Sequence, residues 1–133
     1  MSPTQLLQSS MPLCATLGIT GSEAGADRVV AHLDWRPELC TAGGLLHGGA
    51  VMALADATGG ACAFLNLPEG AVGTSTIESK TNFLGAVREG SSLTATATPL
   101  HVGRTTIVIE TELRVDERLV GKTTQTQSVL HAR

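Results

Sequence analysis

A single carboxylate, Asp56, lies in an otherwise uncharged run of the sequence from Gly49 to Leu65. Its neighbours on both sides are small or apolar, which predicts a helix that is apolar on every face and belongs in a protein interior. An ionised carboxylate is costly there unless it is paired, hydrogen-bonded or used in chemistry. Such a group is suited to act as a general base or as a nucleophile, so Asp56 is the first candidate catalytic residue.

The glycine-rich segment Gly44–Gly49 comes directly before this helix and contains His47. The backbone N–H groups of Gly48 and Gly49 have no partner within the helix and lie at the positive end of its dipole. Glycine also lets another molecule approach the backbone without a Cβ in the way. The two N–H groups are therefore suited to polarise a carbonyl oxygen.

The spacing of these groups constrains the assembly. Gly48 and Asp56 are separated by about 12 Å along one helix, given a rise of about 1.5 Å per residue. One reacting carbon cannot contact both groups within a single chain. A two-fold axis with antiparallel helices would bring Asp56 of one subunit to Gly48 and Gly49 of the other. We therefore predict an obligate homodimer with two shared sites.

Composition limits the class of protein. The 133 residues suit one domain, 1–133, that begins with a helical segment over residues 1–17. The net charge is −3 and no basic run is present, which argues against a nucleic-acid partner. No apolar stretch is long and pure enough to span a membrane, and no secretory signal is visible, so we expect a cytoplasmic protein. The three cysteines, Cys14, Cys40 and Cys62, form neither a disulfide framework nor a metal-ligand pattern, and no metal or cofactor is expected.

The apolar spacing predicts the elements that carry these residues. Residues Thr4–Leu17 have helical spacing, with Thr4 as the cap and Pro12 as an interruption. Ile19–Trp35 is predicted to be extended around a turn at Gly25. After the long helix, which ends near Pro68, the apolar period changes to two. The predicted strands are Thr74–Leu84, Leu93–Thr98, Thr106–Val115 and Leu119–Leu130, the last with Thr and Gln on its outer face.

Consecutive strands without intervening helices indicate an α+β protein with an antiparallel sheet. The simplest way to bury the apolar helix is to wrap this sheet around it. The other face of the sheet is then expected to meet a partner subunit.

These elements and residues resemble the hotdog-fold thioesterases, in particular the phenylacetate-degradation and aryl-CoA thioesterase branch. Dihydroxynaphthoyl-CoA thioesterases share the same glycine-rich run but carry Glu where this chain has Asp56. The resemblance extends over nearly the whole chain and implies a hotdog fold and thioester hydrolysis. It rests on Gly44–Ala50, Leu54–Asp56, Arg88–Gly90 and Pro99–Arg104.

The resemblance also implies roles for individual residues. Asp56 attacks the thioester or activates water, and the two routes stay open. Gly48 and Gly49 polarise the carbonyl, and His47 orients the site. Thr76 stands where relatives carry Ser or Thr near the attacking water.

One position departs from the family pattern. Relatives usually carry Asn or Gln six residues before the histidine, and this chain has Thr41, whose hydroxyl donates a hydrogen bond over a shorter reach. Arg88 and Arg104 are expected to contact the CoA phosphates, since guanidinium groups suit phosphate oxygens. The acyl pocket is expected to be lined by small or apolar helix residues: Met52, Ala53 and Ala57.

The resemblance implies an acyl-CoA substrate, with aryl-CoA preferred, and a homodimer that pairs again into a dimer of dimers. A non-catalytic acyl-CoA-binding module of the same fold is the alternative, motivated by Thr41. A hydratase is disfavoured because Ala61 stands five residues after Asp56, where those relatives carry His.

Overall fold

The computed structural model describes residues 1–133, which form one antiparallel sheet and a long helix that packs against it. The strand order is β1-β2-β4-β5-β6-β3, so the long β3 lies at one edge and the short β1 at the other. None of the helices has the length and hydropathy needed to span a bilayer. The elements are α1 (Pro3–Ser10), α2 (Pro12–Leu17), β1 (Thr20–Ala24), β2 (Val29–Asp34), a 3-10 turn (Pro37–Leu39), α3 (Gly48–Phe64), β3 (Ala71–Phe83), β4 (Ser92–Val102), β5 (Thr106–Val115) and β6 (Arg118–His131).

The core lies between α3 and the concave face of the sheet. Alternate residues of β2, β4 and β5 point inward and are fully buried, as the period of two predicts. The outer face is polar and carries two ion pairs, Lys122 with Glu110 and Arg114 with Glu112. The prediction that this face meets a partner subunit stays a prediction.

Helix α3 differs from the expected helix that is buried on all sides. It buries Leu54, Ala55 and Cys62 completely against the sheet. Its opposite face is open in the single chain, where Met52 is 37% exposed and Phe64 is 55% exposed. The reason is that the sheet curves around only part of the helix. An apolar face of this kind is typical of a helix that packs against another surface.

The N-terminal segment is two short helices rather than one. The break falls at Met11, because Pro12 lacks the N–H that would continue α1. Ser2, not Thr4, caps the first helix, since its hydroxyl accepts from the Gln5 N–H and the Gln5 side chain accepts from the Ser2 N–H. Thr4 instead bonds to the backbone of Gly21, which ties α1 to β1.

Strand β3 is a long edge strand with an open outer edge. It pairs only with β6, and its residues Val72 and Ile77 are 62% and 66% exposed. Ile77 is an extra residue in the ladder, between the pairs Thr76↔Gln127 and Glu78↔Thr126. A long exposed edge with apolar side chains is a template for pairing with another strand.

Candidate active site

Asp56 lies in the middle of α3 on its open face, and its side chain lines a cavity. It is exposed in the single chain, which corrects the expectation that it lies buried in the protein interior. The apolar wall around it still removes enough water to raise the pKa of the carboxyl above its ordinary value. A hydrogen bond from Gln125 acts in the opposite direction. The result is a carboxylate that is accessible to a ligand and costly to ionise.

Three polar side chains of the sheet form a hydrogen-bonded series that begins at Asp56. Gln125 Nε2 donates to Asp56 Oδ1 over 2.9 Å and lies 3.4 Å from Gln127 Oε1. Gln127 Nε2 in turn donates to Thr74 Oγ1 over 3.1 Å. Both glutamines are buried, with 0% and 3% exposure. We call these three residues, Gln125, Gln127 and Thr74, the amide chain.

The amide chain corrects the prediction that the glutamines of the last strand face outward. Gln125 and Gln127 point inward together with Val129, and Thr124 and Thr126 point outward. A bulge at Val120 shifts the alternation, so that Val120 and Gly121 are both buried. Gln125 and Gln127 lie four and two residues before the apolar Val129, and this even spacing is the sequence signal that predicts all three on the inner face.

The N-terminus of α3 forms a second polar centre. His47 is the N-cap residue, and its Nδ1 accepts from the Gly49 N–H over 2.8 Å. Only Gly48 therefore keeps a backbone N–H without a partner in the chain. This corrects the expectation that both glycine donors are free, because the histidine ring folds back over the first turn. The Phe83 ring lies over Gly48, with its Cζ 3.3 Å from the position of a Gly48 Cβ.

Two separate cavities correspond to these two centres. The larger, about 450 Å³, lies between α1, α3 and the amide chain and is lined by Asp56, Gly60 and Thr76 among others. The smaller, about 140 Å³, is lined by Thr41, Gly48 and Phe83 among others. The single chain thus brings Thr76 to Asp56 and Thr41 to Gly48. It does not bring the two groups together, since they lie about 12 Å apart along α3.

The walls of the larger cavity differ from the predicted acyl pocket. They come from the end of α3, at Gly60, Ala61, Phe64 and the C-cap Leu65, and from Leu6, Leu7 and Ser10 of α1 together with Met11. Met52, Ala53 and Ala57 do not line it. The reason is that α1 packs against β1 and α2 and lines the cavity opposite the C-terminal half of α3, a tertiary arrangement that local spacing does not reveal.

The two candidate phosphate ligands lie in two different loops, one before β4 and one after it. Arg88 follows Val87, whose carbonyl accepts from the Leu46 N–H close to the start of α3. Arg104 lies in the β4–β5 turn, where its backbone carbonyl pairs with His131. Both side chains are exposed, and neither makes an ion pair. No cluster of three or more His, Cys, Asp or Glu side chains is arranged to hold a metal ion.

Comparisons with known proteins give consistent matches. The family described as thioesterase superfamily matches residues 43–122. The candidate esterase ComA2 of Bacillus subtilis is 36% identical over 109 residues, which cover 81% of this chain and 86% of that protein.

Solved structures extend the likeness over almost the full chain. The thioesterase HI1161 of Haemophilus influenzae is 31% identical with a TM-score of 0.88, and the match covers 98% of this chain and 92% of that one. The PaaI protein of Escherichia coli, from the phenylacetic acid degradation operon, has a TM-score of 0.85 at 19% identity, over 98% and 92% of the two chains. These structures confirm the predicted fold class, a hotdog arrangement of an antiparallel sheet around one long helix.

Proposed function

This chain belongs to the thioesterase superfamily and is a thioester hydrolase, and we propose that its substrates are acyl-CoA thioesters, with aryl-CoA preferred. The observation that carries this proposal is Asp56, a carboxylate on a cavity wall, held by one amide and with a raised pKa. A group of this kind is suited to activate water or to attack a carbonyl carbon.

The complete site forms between two subunits. The open face of α3 and the free edge of β3 support a symmetric homodimer, because both carry exposed apolar side chains and both are uncovered in the single chain. Antiparallel α3 helices would then bring Asp56 of one subunit to the Gly48 N–H of the other. A further pairing into a dimer of dimers follows from the family resemblance.

The reaction uses both polar centres, the Gly48 N–H at the start of α3 and the Asp56 carboxylate. The Gly48 N–H donates to the thioester oxygen as negative charge develops there. On the general-base route, Asp56 takes a proton from water, the water oxygen bonds to the acyl carbon, and the C–S bond breaks to release the thiolate, which is then protonated. On the nucleophilic route, Asp56 displaces the thiolate and forms a mixed anhydride, which water then hydrolyses. Thr76 lies on the same cavity wall as Asp56, where its hydroxyl is suited to hold the water.

The two routes are distinguished by isotope. A single turnover in ¹⁸O-labelled water, with enzyme in excess, leaves Asp56 unlabelled on the general-base route. On the nucleophilic route water that attacks the Asp56 carbonyl labels the side chain, which mass spectrometry of the peptide containing Asp56 detects.

The substrate is expected to lie along the subunit interface. The acyl group occupies the cavity of about 450 Å³ between α1 and α3, which has the size of a small-molecule pocket. Arg88 lies near the start of α3, and Arg104 lies beside His131 at the end of β6. Both guanidinium groups are exposed and are suited to bind CoA phosphates. Thr41 and His47 complete the carbonyl side of the site.

The test is release of free thiol from a panel of esters: benzoyl-, hydroxybenzoyl-, phenylacetyl-, hexanoyl- and palmitoyl-CoA. We expect aryl esters to be hydrolysed fastest, and Asp56→Ala and Asp56→Asn to lose activity by orders of magnitude while the dimer survives in analytical ultracentrifugation. Retention of turnover in both variants would overturn the role of Asp56. Tight CoA binding by folded wild type without hydrolysis of any ester would favour the binding-module alternative.

A further inference from the structure

The buried amide of Gln125 is the feature of this fold that the chemistry above does not use. Its side chain is completely buried on the inner face of β6, a position where strands of the same sheet carry Ala, Ile or Leu. One Nε2 hydrogen is directed to Asp56 and the other toward Gln127. A buried amide is costly unless it is hydrogen-bonded, so this residue is not explained by packing alone.

The orientation of the amide leaves one polar atom without a partner. Gln125 Oε1 is buried and accepts no hydrogen bond. Turning the amide over would direct Oε1 at the carboxylate, where two oxygens repel each other. The fold therefore holds the amide in the orientation that serves Asp56 and leaves its carbonyl oxygen unsatisfied.

Gly59 provides the space for this orientation. It is a buried residue of α3, one turn beyond Asp56, and a Cβ at this position would lie 2.2 Å from Gln125 Oε1. This Cβ would also lie 3.4 Å from Thr111 Oγ1, so the amide has little room on that side. By contrast, a Cβ at the adjacent Gly60 would meet nothing within 4 Å. Any side chain at Gly59 must displace the amide.

We propose that Gln125 is a positioning residue for the thioesterase reaction, seated against Gly59 and steadied by Gln127 and Thr74. It holds Oδ1 of Asp56 in one direction and so leaves Oδ2 directed at the acyl carbon or at the attacking water. Gln127 fixes the second hydrogen of the Gln125 amide, and Thr74 fixes Gln127. The inference rests on the proposed function of Asp56.

The same bond favours the ionised form of Asp56. Desolvation by the cavity wall raises the pKa of this carboxyl, and the bond from Gln125 lowers it. The titratable neighbour that couples to Asp56 is Cys14 of α2, a buried thiol whose pKa is raised. Loss of the amide therefore moves the pKa of Asp56 upward, and the acid limb of the pH profile moves with it.

The first test replaces the amide by a side chain of similar shape without a donor, Gln125→Met. We expect kcat to fall by about 10- to 100-fold, as a misdirected catalytic group does, while KM changes little. We also expect the acid limb of kcat/KM to move to higher pH. The matched control is Thr123→Val. Thr123 lies two residues from Gln125 on the same face of β6, and its replacement removes a hydrogen bond to Thr81 but none to Asp56. It should leave kcat and the pH profile unchanged.

The second test leaves every polar group in place. Gly59→Ala should lower kcat in the same way, because its Cβ displaces the amide. In the Gln125→Met background the added effect should be small. Gly60→Ala serves as the control for folding, since its Cβ enters open space. Should Gly59→Ala fail to fold where Gly60→Ala does fold, Gln127→Leu tests the same chain from its other end.

A titration followed by ¹³C NMR of the Asp56 carboxyl separates this inference from the proposed function. An upward move of its midpoint in Gln125→Met supports the inference even if no ester is turned over. An unchanged midpoint together with unchanged kcat would overturn it. Full turnover by Asp56→Asn would overturn the catalytic assignment instead, and the titration would still report on the contact with Gln125.

Discussion

Replacement of Gly48 by proline removes one proposed catalytic donor and little else. Gly48 is the first residue of α3, the position where proline is favoured because its missing N–H has no helical partner. His47, the preceding residue, has φ −62° and ψ 135°, a conformation that precedes proline readily. The added ring carbons contact Phe83, which is 52% exposed and so has open space beside it. The helix is therefore expected to keep its fold and its cap.

The size of the effect follows from the role assigned to this N–H. Loss of one donor to a developing oxyanion typically lowers kcat by about 100- to 1000-fold, or about 3–4 kcal/mol of transition-state stabilisation. Gly48→Ala is the matched control, since it adds a Cβ against the same ring but keeps the N–H. We expect it to retain most of the activity. Thiol release measures both variants, and thermal unfolding checks that both are folded.

Mixing variants tests whether the site is shared. Gly48→Pro and Asp56→Ala should each be nearly inactive alone. If each site takes Asp56 from one subunit and Gly48 from the other, subunits exchanged at equal amounts should regain about a quarter of the wild-type activity, because half of the dimers then hold one intact site of two. No recovery after verified exchange would refute the shared site, and full activity of Gly48→Pro would refute the donor.

Three further predictions concern the same region. Burial raises the folded-state pKa of Asp56, so ionisation of this carboxyl destabilises the fold as pH rises through that pKa. Asp56→Asn should therefore raise Tm at pH 7 and lose this advantage below the unfolded-state pKa, which is near 4. Calorimetry at the two pH values measures the difference. Gly60→Leu should fill the larger cavity and lower kcat/KM for benzoyl-CoA far more than it changes Tm, since the position is open and helical glycine is costly by about 1 kcal/mol; a gain in aryl turnover would contradict the assigned pocket. Ile77→Lys should move the dimer toward monomer in sedimentation and lower activity in parallel, because charge on an exposed edge strand opposes pairing, whereas an unchanged dimer would exclude this edge from the interface.

Much of the fold is readable from local patterns. The change of apolar period from helical to two predicts one long helix followed by strands, and α3 begins at Gly48, at the predicted start, but ends at Phe64, four residues before Pro68. The confirmed hotdog arrangement follows because a sheet with one apolar face and a helix rich in apolar residues have few ways to bury each other. The 12 Å between Gly48 and Asp56 is also fixed by helix geometry alone, and the two separate cavities reflect it.

The errors arise where distant contacts override local patterns. The bulge at Val120 changes which residues of β6 face inward, and a bulge has no reliable signature in the alternation of one strand. The placement of α1 across the cavity from α3 decides the walls of the larger cavity, and the predicted pocket residues Met52, Ala53 and Ala57 do not line it.

The groups available for chemistry are visible in the chain alone: one acid in an uncharged helix and a glycine-rich start to that helix. How these groups are held depends on the folded arrangement of the elements. It directs Gln125 at Asp56 from a strand 69 residues away, and it turns His47 onto Gly49 so that Gly48 alone keeps a free donor. The physical reason is that a hydrogen bond depends on direction and on a distance of about 3 Å, which chain spacing does not fix between separate elements.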